Sequence, residues 1–176
     1  MIRRRAPAGA AQPEESPPVV NGWALFAHPL FLDQTEKFAA EVERLRARDP
    51  AGYRNRNASK RLAALLKLIL EVIPQDPGRP EYRQGDALGP ARRHWFRAKF
   101  FQQYRLFFRY HLASRIIVYA CVNDEDTKRA YESREDAYLT FRRMLQGGHP
   151  PEDWNALLAE AKAALRRMKR ATRPSG

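Results

Sequence analysis

The stretch from Arg92 to Asp126, RRHWFRAKFFQQYRLFFRYHLASRIIVYACVNDED, constrains the fold more than any other part of the chain. Val, Ile, Phe, Tyr and Trp dominate three runs of about seven residues each. Gln102-Gln103 and Leu112-Ala113-Ser114 interrupt them at spacings that suit hairpin loops. A meander of three antiparallel strands is predicted.

Alternate side chains on a strand point to opposite faces, so parity carries functional information. In the first run Phe96, Ala98 and Phe100 are apolar, whereas the odd positions include Arg97 and Lys99. The second run repeats the division, with Tyr104, Leu106, Phe108 and Tyr110 set against Arg105, Phe107, Arg109 and His111. The third run, Ile116 to Val122, is apolar on both parities, as a strand covered on both sides should be, and belongs inside the sheet. If the first loop is centred on Gln102, Lys99 faces Arg105 and Arg97 faces Phe107. Like charges directly opposed destabilise a sheet. Either two long side chains splay into water or an anion such as a phosphate sits between them, and a slip of one residue in register would dissolve the pair.

The net charge of +12 is unevenly spread over the 176 residues. No acidic residue lies between Asp86 and Asp124, while Arg92, Arg93, Arg97, Lys99, Arg105, Arg109 and Arg115 do. Residues 161 to 176 add six more cations, and the remainder of the chain is nearly neutral. Such concentration suits a polyanion-binding surface better than mere solubility, which intersperses signs. The single cysteine, Cys121, lies in the most apolar run and reads as a packed thiol in a reducing compartment. No apolar run approaches a membrane span, and MIRRRAPAGAAQP has no apolar signal core, so a cytoplasmic protein without membrane contact is expected.

Residues 1–20, rich in Ala, Pro and Arg without period, read as a disordered extension. Residues 21–165 read as a single domain and 166–176 as a basic tail. Asn21 to Ala27 fits an edge strand ending before Pro29. A helix is predicted from about Asp33, with Glu36 completing a capping-box spacing, and stops at Asp49-Pro50-Ala51-Gly52. A second, from about Asn57 to Ile73, sets Leu62, Leu65, Leu66, Ile69 and Ile73 on one stripe before Pro74. This helical pair should cover the even face of the sheet and leave the basic odd face open. After a long loop over Gln75 to Pro90 and the meander, Asn123-Asp124-Glu125-Asp126 reads as a turn and helix start. Ala137, Tyr138, Phe141, Met144 and Leu145 make a stripe closed by Gly147-Gly148, and a last helix opens at Pro150-Pro151-Glu152-Asp153. The fold class is α+β: a small antiparallel sheet, a helical hairpin on one face and C-terminal helices. There is no glycine-rich phosphate loop and no Cys/His cluster with metal spacing, so neither a metal nor another cofactor is expected.

The strings RAKFFQQYRLFFRY, VNDEDTKRAY, FRRML and GHPPEDW, in that order after NGWALFAHPLF, resemble the YhaV family of bacterial toxins from about Asn21 to Trp154. YhaV toxins are similar to the RelE superfamily, which implies the same sheet and hairpin. The resemblance further implies an endoribonuclease that cuts mRNA, either free or on the ribosome, and so blocks translation. It also implies a PrlF-type antitoxin and, through that complex, operator DNA. In RelE-like nucleases, basic residues on the second and third strands line the cleft. The positions matching that motif here are Arg97, Lys99 and Arg105. A tyrosine and basic residues after the last strand serve in such enzymes, and Arg129 and Tyr131 are the nearest candidates. The acidic turn at Asn123 to Asp126 departs from the short basic segment of many relatives.

Cleaving RNA without metal requires the 2′-OH to attack the adjacent phosphorus while one group takes its proton and cations stabilise the phosphorane. Lys99, flanked by like charges that disfavour its protonated form, is the candidate base. Arg105 would stabilise the phosphorane through its planar fork, and Arg97 would position the substrate. Asp124 and Glu125 are alternative bases. Phe107, Arg109, Asp124, Arg129 and Tyr131 complete the candidate substrate-binding set, with Phe107 on the basic face weighed between core packing and stacking on a nucleotide. His28, His94, His111 and His149 form no pair in the sequence and read as structural or surface residues. The competing readings are a nucleic-acid-binding module or corepressor without chemistry, and a toxin of the same fold with a target other than RNA.

Overall fold

A computed structural model describes residues 15–101, 103–123 and 137–173. Among the described residues, five strands form one sheet: β1 (Val19–Val20), β2 (Trp23–Ala27), β3 (Phe96–Phe100), β4 (Tyr104–His111) and β5 (Ile116–Asn123). Their order across the sheet is β1-β2-β5-β4-β3. The predicted meander is β3-β4-β5, antiparallel throughout, and β5 is central. Every residue of β5 after Ile116 is buried, which is why its apolar side chains occupy both parities.

β2 is not the edge strand that Pro29 suggests. It pairs parallel to β5 from Ala24 opposite Ile116 to Ala27 opposite Tyr119, and β1 covers its other side. Asn21 and Gly22, both at positive φ, make the two-residue turn between β1 and β2. The extension expected over residues 1–20 therefore gives up Val19 and Val20 to the sheet; residues 1–14 lie outside the described residues.

α1 (Pro29–Arg48) begins four residues before the predicted Asp33 cap. His28 is the N-cap, its Nδ1 accepting from the Leu30 N–H, and Pro29 occupies the first turn, where its missing N–H costs nothing. α2 (Asn57–Lys67) continues through a π-turn over Leu68–Val72. The Tyr119 hydroxyl donates to the Ile69 carbonyl inside that turn at 2.6 Å. Phe31, Leu32 and Phe38 of α1 pack with Leu65, Ile69 and Ile73 against Ala98, Leu106, Phe108, Ile117 and Tyr119, the face predicted for the hairpin.

The opposite face is not open. α3 (Ala137–Gln146) and α4 (Trp154–Ala163) bring Phe141, Met144, Leu145, Leu157 and Ala161 onto Phe26, Phe107, Val118 and Cys121. Asp153 caps α4 by accepting from the Ala156 N–H. The predicted last helix breaks at Ala164, and α5 (Leu165–Ala171) follows, with Met168 buried. Residues 166–171 are thus packed helix rather than free tail. No helix among the described residues is long and apolar enough to cross a membrane.

Phe107 pairs with Cys121 and Phe108 with Tyr119, so Ala120 is an extra residue on β5. Among the described residues, no strand flanks β5 beyond Ala27 on the β2 side. The buried Gln34 amide of α1 takes that place: its Oε1 accepts from the Val122 N–H at 2.7 Å, and its Nε2 donates to the Val122 carbonyl at 2.6 Å.

Candidate active site

The β3–β4 register places Lys99 opposite Arg105 and Arg97 opposite Phe107, as alternation with a loop at Gln102 requires. Arg105 in turn faces Asn123 on β5. Lys99, Arg105 and Asn123 therefore form a row across three adjacent strands at the end of the sheet, where the buried Asn123 amide donates to the Ala137 carbonyl at the start of α3. Directly opposed side chains in such a ladder have Cβ atoms only ~5 Å apart. The two cations lie within reach of a single phosphate.

Lys99 is exposed, and no hydrogen bond or ion pair among the described residues holds it. Arg105 is half-buried, with Nη1 donating to the Tyr104 carbonyl at 3.1 Å. Arg97 is tied down: Nε donates to the Tyr138 hydroxyl and Nη1 to the Glu81 carbonyl, each at 2.7 Å. It fixes α3 and the 81–83 loop against β3, and it borders a groove of about 320 Å³ lined also by Leu68, Val72, Tyr82 and Lys99. Tyr138 had shown itself in the sequence only as one aromatic of a core stripe.

Two expected substrate contacts are engaged in packing within the protein, Phe107 in the core and Arg109 half-buried at its margin. Phe107 is fully buried, its ring stacked on Phe141 at 4.1 Å and 8°, so a nucleotide has no face on which to stack. Arg109 lies between the rings of Trp95 and Trp154, 5.4 and 5.3 Å from their centroids, and donates from Nη1 to the Glu152 carbonyl at 2.6 Å. Burial pushes its guanidinium below the usual pKa, against the smaller opposing pull of Asp153 and Glu152. Asp124, Arg129 and Tyr131 lie outside the described residues. The histidines are held structurally where the geometry is visible: His28 Nε2 meets Glu160 Oε2 at 2.8 Å, and His111 Nδ1 meets Ser114 Oγ at 2.7 Å.

A cationic pair on an α+β scaffold, set at an exposed end of the sheet, is an arrangement suited to phosphodiester chemistry. Residues 25–162 match a family described as a toxin with endonuclease activity, of toxin-antitoxin system. The ribonuclease toxin YhaV of Escherichia coli (strain K12) and the toxin YhaV of Escherichia coli O157:H7 are each 44% identical to the chain over 148 residues, 83% of this chain and 96% of theirs. No solved structure matches it. The chain belongs to the YhaV family of endonuclease toxins, and an antitoxin is accordingly its partner.

Proposed function

We propose that this toxin is a RelE-like endoribonuclease that cuts mRNA in the cytoplasm, without a metal ion, at the Lys99–Arg105 pair. The observation that carries the reading is the direct opposition of these two cations across the β3–β4 ladder, one of them without any partner among the described residues. An arrangement that weakens the sheet is retained where an anion repays it.

Lys99 takes the proton from the 2′-OH as that oxygen attacks the adjacent phosphorus. Arg105 stabilises the phosphorane oxygens, and the bond to the 5′-oxygen breaks as that oxygen takes a proton from solvent, leaving a 2′,3′-cyclic phosphate on one fragment and a 5′-hydroxyl on the other. Arg97, braced by Tyr138 and Glu81, positions the strand. Asp124, Arg129 and Tyr131, which follow the end of β5 beside Arg105, are assigned to substrate binding. The antitoxin is of PrlF type, the complex is what meets operator DNA, and the mRNA is cut either free or on the ribosome.

Purified toxin incubated with RNA in EDTA, with and without ribosomes, tests the reading. Cleavage that survives EDTA is expected, and Arg105→Ala should lower kcat/KM roughly 100- to 1,000-fold, the usual loss for one transition-state donor. Arg105→Ala protein that cuts at the parental rate would remove Arg105 from the mechanism. Binding without cleavage by the unaltered toxin would make it a non-catalytic nucleic-acid binder.

A further inference from the structure

Phe101 stands at the tip of the β3–β4 hairpin with a φ of +39°, and its side chain is 48% exposed. Both facts are unusual for phenylalanine. The left-handed region is one that bulky side chains rarely enter, and a glycine there would cost the chain nothing. Strain of this kind persists where the surroundings enforce it, and it clusters at functional positions. Burial does not account for the ring, since about half of it remains in water.

The ring is nonetheless braced. Its centroid lies 6.0 Å from Phe100 and 6.4 Å from Tyr104, and those two stack on each other at 5.2 Å and 21°. The Tyr104 hydroxyl is in turn held by Arg61 Nη1 at 3.2 Å. The aromatic base of the tip is therefore fixed, and the outermost ring is presented to solvent on top of it.

Its place relative to the cations gives it a purpose. Phe101 is the first residue after β3 and lies two residues from Lys99, at the same end of the sheet as the Lys99–Arg105 pair. We infer that Phe101 is a base-stacking platform that holds an unpaired RNA base next to the phosphate gripped by Lys99 and Arg105. This inference rests on the nuclease reading above. Stacking tolerates any base, because every base has a π-face, so the platform sets the register of the strand rather than its sequence.

The test uses the whole toxin and a short single-stranded RNA spanning a mapped cleavage position, with one abasic nucleotide moved through the positions around the cut. For the unaltered toxin, one abasic position within two nucleotides of the scissile bond should raise KM roughly 5- to 150-fold, the range of one lost base stack. Phe101→Gly, which accepts the positive φ and so does not threaten the fold, should show that same rise on intact RNA and no further loss at that abasic position. Phe101→Tyr should restore the parental KM. If Phe101→Gly cuts intact RNA with the parental KM, or if its loss adds equally to every abasic loss, the platform is overturned while the nuclease reading stands. Unchanged KM with weakened antitoxin binding would assign the ring to the protein partner instead. Unaltered toxin that cuts no RNA overturns both readings.

Discussion

Phe107 and Phe141 lie ring on ring, 4.1 Å apart and within 8° of parallel, and this contact closes the middle of the sheet face that bears the cations. Phe107 is the one aromatic of β4 on the same parity as Arg105 and Arg109, so it marks where the basic face turns into core. Replacing a buried phenylalanine with alanine loses its transfer energy and leaves a cavity. Phe107→Ala should therefore cost about 3–5 kcal/mol, and Phe107→Leu under about 1.5 kcal/mol. Urea unfolding followed by fluorescence measures both. A Phe107→Leu toxin of near-parental stability but much weakened RNA affinity would show that a nucleotide reaches this ring.

Arg109 should behave as a structural cation. Its guanidinium joins β4 to the start of α4 through the Glu152 carbonyl and two indole rings. A charge-assisted hydrogen bond together with partly desolvated cation–π contacts predicts a loss of about 2–3 kcal/mol for Arg109→Ala. Arg109→Lys should recover only part of it, because an ammonium lacks the planar face that lies between two indoles. The kinetic constants for RNA, measured well below the melting temperature, should stay within about twofold of the parent.

The difference between Arg109 and Lys99 explains which parts of the structure alternation could reveal. Alternation assigns a side chain to a face of a sheet: it placed Arg97, Lys99, Arg105 and Arg109 together, and with the loop at Gln102 it gave Lys99 and Arg97 their partners Arg105 and Phe107. It says nothing about what later elements put on that face. The stripe of Tyr138, Phe141 and Met144 was visible at helical spacing, but its docking partner depends on a return of the chain across the sheet that no local pattern encodes. The β1–β2 turn was different, since Asn21-Gly22 between Val20 and Trp23 is a strong local hairpin signal outweighed by the proline-rich context before it. The start of α1 at His28 escaped because histidine is an infrequent cap, while Asp33 and Glu36 offered a familiar spacing. Those two carboxylates instead receive the Arg167 guanidinium from α5.

Gln34 should matter far more than a polar residue on a helix usually does. Its amide supplies both hydrogen bonds that a neighbouring strand would give Val122, one residue before the Asn123 that faces Arg105. Gln34→Leu keeps the volume but strands a buried N–H and a buried carbonyl, each costing about 1–3 kcal/mol. The expected loss is about 2–4 kcal/mol, with faster hydrogen exchange at the Val122 amide than at Tyr119. Exchange at Val122 that stays as slow as in the parent would mean another group satisfies it.

Truncation after Ala164 distinguishes a packed α5 from a tether. Met168 is buried against the hairpin side of the core, and Arg167 ties α5 to Asp33 and Glu36 of α1, whose carboxylates raise its pKa. Removing residues 165–176 should therefore lower the melting temperature by several degrees, as the loss of one buried methionine and its neighbours requires. A truncated toxin with parental stability and only a shallower salt dependence of RNA binding would restore the tether reading.

His28 should make the protein less stable in mild acid. Its ring is 1% exposed; Nδ1 accepts from the Leu30 N–H, so the proton sits on Nε2 and is donated to Glu160. Burial lowers its pKa below 6.5, outweighing the opposing pull of the Glu160 hydrogen bond and charge, while His149 adds a further lowering and Asp33 a small rise. Above the unfolded pKa both states are neutral and the stability is fully present. Below it the unfolded chain binds a proton that the folded ring refuses, so stability falls as pH drops, by at most about 1.4 kcal/mol per pH unit for one group. Protonation would also turn a second N–H toward the Leu30 N–H and uncap α1. Melting temperatures between pH 7.5 and 5 should therefore decline, and His28→Asn, which can still cap but does not titrate, should flatten part of that slope. An identical slope in both proteins would assign the acid sensitivity to other groups.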